Sequence, residues 1–234
     1  PTIIDIKNNL SKGIRKASDF LMALQLTGAY KRSSIANLQI QLPAVVIGGG
    51  LTAIDTATEL LAYYPIQIEK VAERVRSLVA EKGAEAVRAM FDDEEWGVLT
   101  VQLQHAKELE EERALAAKEA RDPKLQPLLD KWGGVSLVYR RSVLESPAYR
   151  LNHEEVQKSL EEGVRYIENL SPTEAVLDSY GHVKAMKFRR AHAPVESDDG
   201  AAPEEIELPA RTVCVAAGTS PNTMYEKEYE GSFL

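Results

Sequence analysis

Three glycines in a row precede a segment of helical periodicity, at a spacing suited to phosphate binding. Gly48-Gly49-Gly50-Leu51-Thr52-Ala53 has the form G-x-G-x-x-A. Gly48 would permit a tight turn, Gly50 would let a pyrophosphate approach the backbone, and Ala53 would let helix and strand pack closely. Free amides at the helix start, with the positive end of the helix dipole, would hold the phosphates. The motif predicts a dinucleotide site, and the alternative is a purely structural turn.

The residues on both sides of this motif favour the dinucleotide site. Leu42 to Ile47 is a short apolar run with β-branched residues at its end, which is typical of a buried strand. Leu51 to Leu61 has good helical periodicity. The segment is therefore predicted to be a strand, a glycine turn and a helix.

A second candidate group lies at the end of the next predicted strand, Val135 to Tyr139, which Arg140 and Arg141 follow. Sites for NAD place an acid at this position for the ribose 2′-hydroxyl, whereas sites for NADP place arginine there for the 2′-phosphate. The pair predicts a 2′-phosphate clamp, and the alternative is two solvated arginines. Arg150 is a weaker candidate for the same clamp.

The intervening residues predict an insertion. The second strand usually lies about 20 residues past the glycines, but here a stretch rich in Glu, Ala, Lys, Arg and Leu separates them. We predict a connector at 1–42, a nucleotide domain at 43–62 and 133–218, an inserted helical hairpin or bundle at 63–132, and a return linker at 219–234.

The remaining patterns complete an α/β fold: a Rossmann-like parallel sheet, an antiparallel three-stranded meander and a helical insertion. Further helices are predicted at Gly13 to Leu24 and His153 to Gly163, and further parallel strands at Val164 to Ile167 and Thr212 to Ala216. The meander comprises Ala175 to Asp178, Val183 to Arg190 and Glu205 to Leu208.

Composition narrows the class of protein. The 234 residues are 44% hydrophobic and 27% charged, which is typical of a globular domain, and the net charge of -8 argues against nucleic acid as a partner. One cysteine excludes an internal disulfide, and no apolar run approaches the roughly 20 residues that span a bilayer. We expect a cytoplasmic protein that does not bind membranes.

Other residue combinations match chemistry only superficially. Tyr180 and Lys184 have Y-x-x-x-K spacing, but Gly181 predicts a hairpin turn where that pair would need a helix. The four histidines have no close ligand partners, and Cys214 lies in a predicted buried strand. The acidic run from Asp92 to Glu95 is typical of a helix N-terminus. No catalytic residue and no metal site are predicted.

Several motifs together resemble the NADPH domain of the glutamate synthase small-subunit-like family, within the pyridine nucleotide–disulfide oxidoreductase superfamily. The resemblance covers about residues 1–62 and 133–225. It is carried by the glycine motif with Ile54-Asp55, then by Val138-Tyr139-Arg140-Arg141-Ser142, Ser146-Pro147-Ala148, Glu161-Glu162-Gly163-Val164 and Ala216-Ala217-Gly218-Thr219-Ser220-Pro221-Asn222.

The resemblance implies cofactor roles for particular residues. NADPH, in preference to NADH, would contact Gly48 to Ala53, Arg140, Arg141 and Gly218. Hydride would pass to FAD bound by a separate domain of a longer parent chain, and that FAD domain would be the principal partner. The present chain would be inactive as an isolated fragment.

Three features depart from the family pattern. Leu51 replaces the usual Asn, the stretch 63–132 is additional, and the first glycine fingerprint, which binds FAD, is absent. The chain is therefore expected to be an excised middle piece without FAD of its own. Two alternatives remain open: a non-catalytic nucleotide-sensing domain, or a partner-docking module that uses the helical insertion, also a candidate surface for a homo-oligomer.

Overall fold

A computed structural model describes residues 4–190, 205–218 and 228. The strands of the described part are β1 Ile14–Lys16, β2 Ala44–Ile47, β3 Val135–Val138, β4 Arg165–Ile167, β5 Leu170–Leu177, β6 Val183–Arg190, β7 Glu205–Pro209 and β8 Thr212–Val215. The helices are α1 Ala17–Leu26, α2 Leu51–Lys82, α3 Ala84–Arg88, α4 Asp93–Lys118, α5 Leu125–Lys131, α6 Pro147–Leu151 and α7 His153–Glu161, with a 3-10 turn at Val143–Glu145.

Five strands form a parallel sheet in the order β1-β8-β2-β3-β4, and the other three form an antiparallel meander in the order β5-β6-β7. This arrangement confirms the predicted fold class. The helix at the acidic run is also confirmed, because Asp92 and Glu95 form a reciprocal capping box at the start of α4.

The parallel sheet is buried on both faces. Because successive side chains of a strand point to opposite sides, Ala44 and Val46 of β2 pack in the core that the sheet shares with the helices. Val45 and Ile47 pack in a second core, against the meander. The molecule therefore has three layers, and strands buried on both sides read as continuous apolar runs.

The first helix after the glycines is much longer than predicted. α2 spans 32 residues and continues through Pro65, so the predicted boundary between residues 62 and 63 falls inside it. Tyr63, Tyr64 and Ile68 are buried in the core between the helices and the sheet. Residues 63–68 of the predicted insertion therefore belong to the same helix and the same core as the predicted nucleotide domain. The division into domains stays a prediction.

One face of α2 holds the backbone of residues 29–40 through polar side chains. Gln67 is buried and pairs with both backbone groups of Ile40, at 2.9 and 2.7 Å. The buried Lys70 Nζ donates to two carbonyl oxygens at 2.8 and 3.0 Å. Tyr63 accepts one amide of the same segment, and Arg74 donates to two of its carbonyls. We call Tyr63, Gln67, Lys70 and Arg74 the clamp.

The remaining helices of the predicted insertion form a small bundle on α2. Tyr64 Oη lies 2.8 Å from His105 Nδ1, and His105 stacks on Trp132 with ring centroids 4.5 Å apart. Glu108 accepts from Trp132 Nε1 at 2.8 Å, and this bond is the first cause of its low pKa, about 2. These contacts join α2, α4 and the end of α5.

One local prediction needs correction. The helix predicted from Gly13 begins at Ala17, because Ile14–Lys16 pairs with β8 as an edge strand of the sheet. The helix predicted from His153 is confirmed as α7. A separate short helix, α6, precedes it, and its Ser146 cap accepts from Tyr149 N at 3.1 Å. Within the described residues no helix is long and apolar enough to cross a bilayer.

Candidate nucleotide site

The predicted site residues meet where three neighbouring strands end. Ile47 of β2 is in register with Val138 of β3 and Val215 of β8. Beyond these positions Gly48 N donates to Val138 O at 3.1 Å, and Ala216 N donates to Ile47 O at 2.8 Å. The glycine motif, the arginines and Gly218 therefore follow strand ends at one edge of the sheet. Ligands of open α/β sheets bind at such carboxyl ends.

Two of the glycines are required by close packing within the protein. A Cβ atom on Gly48 would overlap the carbonyl oxygen of Ala216. A Cβ atom on Gly49 would overlap the ring of Tyr139, which the sequence reasoning did not anticipate. These residues let the strand ends approach, in agreement with the predicted tight turn at Gly48.

Gly50 differs because a Cβ atom there would meet nothing within 4 Å. Its φ of −96° is open to any residue, so the fold itself does not demand a glycine. Open space at this glycine is what the approach of a pyrophosphate would need.

The start of α2 has unsatisfied donors. In the described part of the chain, no oxygen accepts from the amides of Gly49, Gly50, Leu51 or Thr52. The first turn holds no acidic residue and no side chain caps it, so the positive end of the helix dipole is uncompensated. Ala53 is fully buried, as close packing of helix and strand requires. The arrangement has the donors and the field that an anion needs.

Arg140 and Arg141 follow β3 at this same edge. Both side chains are exposed, and neither has an ion pair or hydrogen bond with any described residue. Arg150 is exposed on α6 and likewise lacks a side-chain partner in the described ranges. Gly218 is exposed three residues past β8, with open space about it. The predicted return linker at 219–234 lies outside the described residues, apart from Glu228.

Residues 139–143, which we call the arginine loop, are held by the turn after β4. Tyr139 N donates to Ile167 O at 2.9 Å, and Asn169 N donates to Arg141 O at 3.3 Å. The carboxylate of Glu168 accepts from Ser142 Oγ at 3.1 Å and from the amide of Val143. Sequence reasoning missed Glu168, since neither its spacing nor its neighbours mark it as part of the site.

The arginine loop is also tied to the glycine turn. The chain continues from the loop through the 3-10 turn to α6, where Ala148 N donates to Gly49 O at 3.1 Å. Gly49, Tyr139 and Ala148 line one small cleft. The two predicted halves of the site are therefore parts of one connected local structure.

The remaining candidates lie elsewhere. Tyr180 occupies the turn between β5 and β6, and Lys184 lies in β6, so the two do not share a helix face. Cys214 is fully buried in β8, and burial raises the pKa of its thiol to about 12. The pKa of Asp55, one turn into α2, is raised by desolvation and then by Glu155. Across the described ranges no group of three His, Cys, Asp or Glu could hold a metal ion.

A cavity of about 250 Å³ lies away from these residues, near the amino ends of β2 and β8. It is lined by Gln41, Leu42, Tyr64, Gly97, Val98, Val101, Gln102 and Arg211. None of the predicted site residues contributes to it.

Comparison with known proteins leaves the family open. No family model matches the chain. An uncharacterized protein of Rickettsia prowazekii (strain Madrid E) is 34% identical over 237 residues, which cover 97% of this chain and 31% of that protein. The chain thus spans about a third of the length of this relative.

Solved structures of low similarity include two thioredoxin reductases and a ferredoxin reductase. Lactococcus lactis thioredoxin reductase (FR conformation) has a TM-score of 0.48 at 12% identity, over 98% of this chain and 45% of that one. T. acidophilum thioredoxin reductase has a TM-score of 0.39 at 13% identity, over 79% and 34%. The ferredoxin reductase for the CYP199A2 system of Rhodopseudomonas palustris has a TM-score of 0.40 at 12% identity, over 97% and 34%.

Proposed function

We propose that this chain is the NADPH-binding domain of a longer flavin-dependent oxidoreductase similar to the glutamate synthase small subunit. The observation that carries the proposal is the start of α2, where four backbone amides lack acceptors in the described structure beside open space at Gly50. Two arginines without ion pairs among the described residues follow the adjacent strand. Amides and guanidinium groups together suit a phosphorylated dinucleotide.

The residues present fit each charged part of NADPH. The pyrophosphate would lie on Gly48 to Ala53, where amides and the helix dipole stabilise negative charge. The 2′-phosphate would be bound by Arg140 and Arg141, since a guanidinium can donate two parallel hydrogen bonds to phosphate. Gly218 would contact the nucleotide from the end of β8. NADH lacks the 2′-phosphate and would bind more weakly.

This chain would supply binding and orientation. NADPH carries the hydride, and the protein fixes where the nicotinamide lies relative to its acceptor. We place no acid, base or nucleophile among the described residues. The acceptor would be FAD on a separate domain of the parent protein, so the isolated chain would bind NADPH without oxidising it. We propose a cytoplasmic location for the parent.

Calorimetric titration with NADPH and NADH tests the proposal. We expect the wild-type chain to bind NADPH more tightly, and Arg140→Ala/Arg141→Ala to weaken NADPH binding about 10- to 100-fold, the factor that corresponds to a net loss of about 1.5–3 kcal/mol of charge-assisted hydrogen bonding. NADH affinity should change little. FAD added alone should give no tight complex.

A matched control separates the loss of specific contacts from Arg140 and Arg141 from a simple loss of positive charge. Arg76 and Arg113 are ion-paired to glutamates of the helical bundle, away from the site. Arg76→Ala/Arg113→Ala removes the same formal charge and should leave NADPH binding within about twofold. Equal affinity for the two nucleotides, or stoichiometric FAD binding, would contradict the proposal.

A further inference from the structure

The arginine loop carries two cations, and few backbone hydrogen bonds hold it to the neighbouring turn after β4. On the side before the arginines, Tyr139 is held by two backbone bonds, to Ile167 O at 2.9 Å and from Leu170 N at 3.2 Å. On the side after them, the backbone bond from Asn169 to Arg141 is long, at 3.3 Å. A phosphate clamp needs a fixed backbone, because long side chains on a loose loop lose more entropy on binding.

Glu168 supplies the missing support. Its Oε1 accepts from Ser142 Oγ at 3.1 Å and from the amide of Val143, the two residues directly after the arginines. Asn169, with a φ of 59°, forms the turn that presents this carboxylate to the loop.

The hydrogen bond from the amide of Val143 to Glu168 affects both the arginine loop and the glycine turn. Val143 begins the 3-10 turn that leads to α6, and α6 donates from Ala148 N to the carbonyl of Gly49. Loss of the Glu168 contact would free one end of this segment. Whereas the hydrogen bonds of Glu168 would favour NADPH binding by fixing the loop, a negative charge on Glu168 would weaken it, because an anion near a 2′-phosphate repels it. An NAD-type acid would bind the ribose directly, whereas this oxygen is already bonded within the protein.

We infer that Glu168 is a positioning residue that fixes the arginine loop and thereby determines the preference for NADPH over NADH. The inference rests on the proposed function. Glu168 acts through its acceptor oxygen and not through its charge. The side chain of glutamine keeps that oxygen and the shape, so Glu168→Gln and Glu168→Ala separate the two properties.

Two measurements test the inference. By calorimetry, Glu168→Ala should weaken NADPH about tenfold and NADH less than threefold, whereas Glu168→Gln should bind NADPH at least as tightly as the wild type. By hydrogen exchange without nucleotide, the amides of residues 142–146 and 148 should exchange faster in Glu168→Ala and not in Glu168→Gln. Rescue by glutamine in both measurements supports a positioning role.

Each contrary result has a distinct meaning. Equal weakening by both substitutions, or equal effects on NADPH and NADH, would overturn the role in selectivity. Unchanged hydrogen exchange in Glu168→Ala would overturn the structural contact itself. If the wild-type chain binds neither nucleotide, the proposed function fails and selectivity fails with it, while hydrogen exchange still decides whether Glu168 fixes the loop.

Discussion

The start and the middle of α2 satisfy their polar groups in opposite ways. At its start, four backbone amides have no acceptor within the described structure, and no side chain caps the helix. In the middle of the helix the clamp pairs the backbone of residues 29–40, and Gln67 satisfies both backbone groups of Ile40. Water or a ligand can reach the donors at the helix start, but the buried polar groups in the middle must be satisfied by protein.

This difference predicts which residues affect nucleotide affinity and which affect the stability of the fold. A polar group that is buried and paired contributes to stability, because its removal leaves a buried partner with no hydrogen bond to protein or to water. A donor that is accessible and unpaired costs the fold little and remains available to an anion. Substitutions at the start of α2 should therefore change affinity, and substitutions in the clamp should change stability.

The largest effect is expected from Gly50→Val. The side chain would enter open space and should leave the free energy of unfolding within about 1 kcal/mol. It would occupy the predicted path of the pyrophosphate, and loss of two charge-assisted bonds, about 3 kcal/mol, corresponds to roughly 100-fold weaker NADPH binding. Calorimetry and urea unfolding measure the two quantities.

Gly97 provides the control for that substitution. It also faces open space, but it lies inside α4 in the helical bundle. Gly97→Ala should leave NADPH affinity unchanged and stabilise the helix by about 0.5–1 kcal/mol. Normal NADPH affinity in Gly50→Val would show that the glycine turn is not the pyrophosphate site.

A stability effect without an affinity effect is expected from Gln67→Leu. Leucine nearly preserves the volume but removes both bonds to Ile40, whose amide and carbonyl are buried. Unpaired buried groups cost about 1–3 kcal/mol each, so we expect about 2–6 kcal/mol lower stability by urea unfolding. NADPH affinity of the folded fraction should stay within twofold of the wild type.

The exposed Gln157 on α7 is the matched glutamine, bonded to Glu161 at 3.0 Å. Gln157→Leu should change stability by no more than about 0.5 kcal/mol. If Gln67→Leu weakens NADPH binding by the folded fraction more than twofold, the clamp and the nucleotide site are coupled, and the contrast between the start and the middle of α2 is wrong.

The sequence predicted the parts of this contrast that depend on local pattern. The glycine motif, its strand and the first turns of its helix follow from residue type and spacing, and the structure confirms these elements. Strands buried on both faces were predictable because they read as apolar runs. Whether the arginines bind phosphate remains a prediction.

The full length of α2 was not predictable in this way. Pro65 usually ends or kinks a helix, at a cost of about 3 kcal/mol, yet α2 continues past it. Burial of Tyr63, Tyr64 and Ile68 outweighs this cost, and burial depends on residues distant in sequence. Glu168 was missed for the same reason, since its contacts with Ser142 and Val143 span 26 and 25 residues.

The smallest effect concerns the stability of the helical bundle in acid, where Glu108 accepts a hydrogen bond from Trp132. Hydrogen bonds from Trp132 first, then Gln104 and Lys131, hold the pKa of Glu108 at about 2, below its ordinary 4.5. A lowered carboxyl pKa stabilises the fold fully above pH 4.5, and this contribution is lost as the pH falls from 4.5 toward 2. Glu108→Gln should therefore be less stable than the wild type at pH 6, with the difference shrinking as the solution is acidified.

Trp132→Phe tests the same bond from the donor's side. It keeps an aromatic ring against His105 but removes the Nε1 donor, so the pKa of Glu108 should rise toward its ordinary value. Urea unfolding followed by circular dichroism between pH 3 and 6 should then show a shallower acid dependence in both variants. An unchanged slope in both would mean that Glu108 does not contribute to acid sensitivity. NADPH affinity at pH 7 should be normal in both variants, because the bonds lost belong to the helical bundle and the donors at the start of α2 remain.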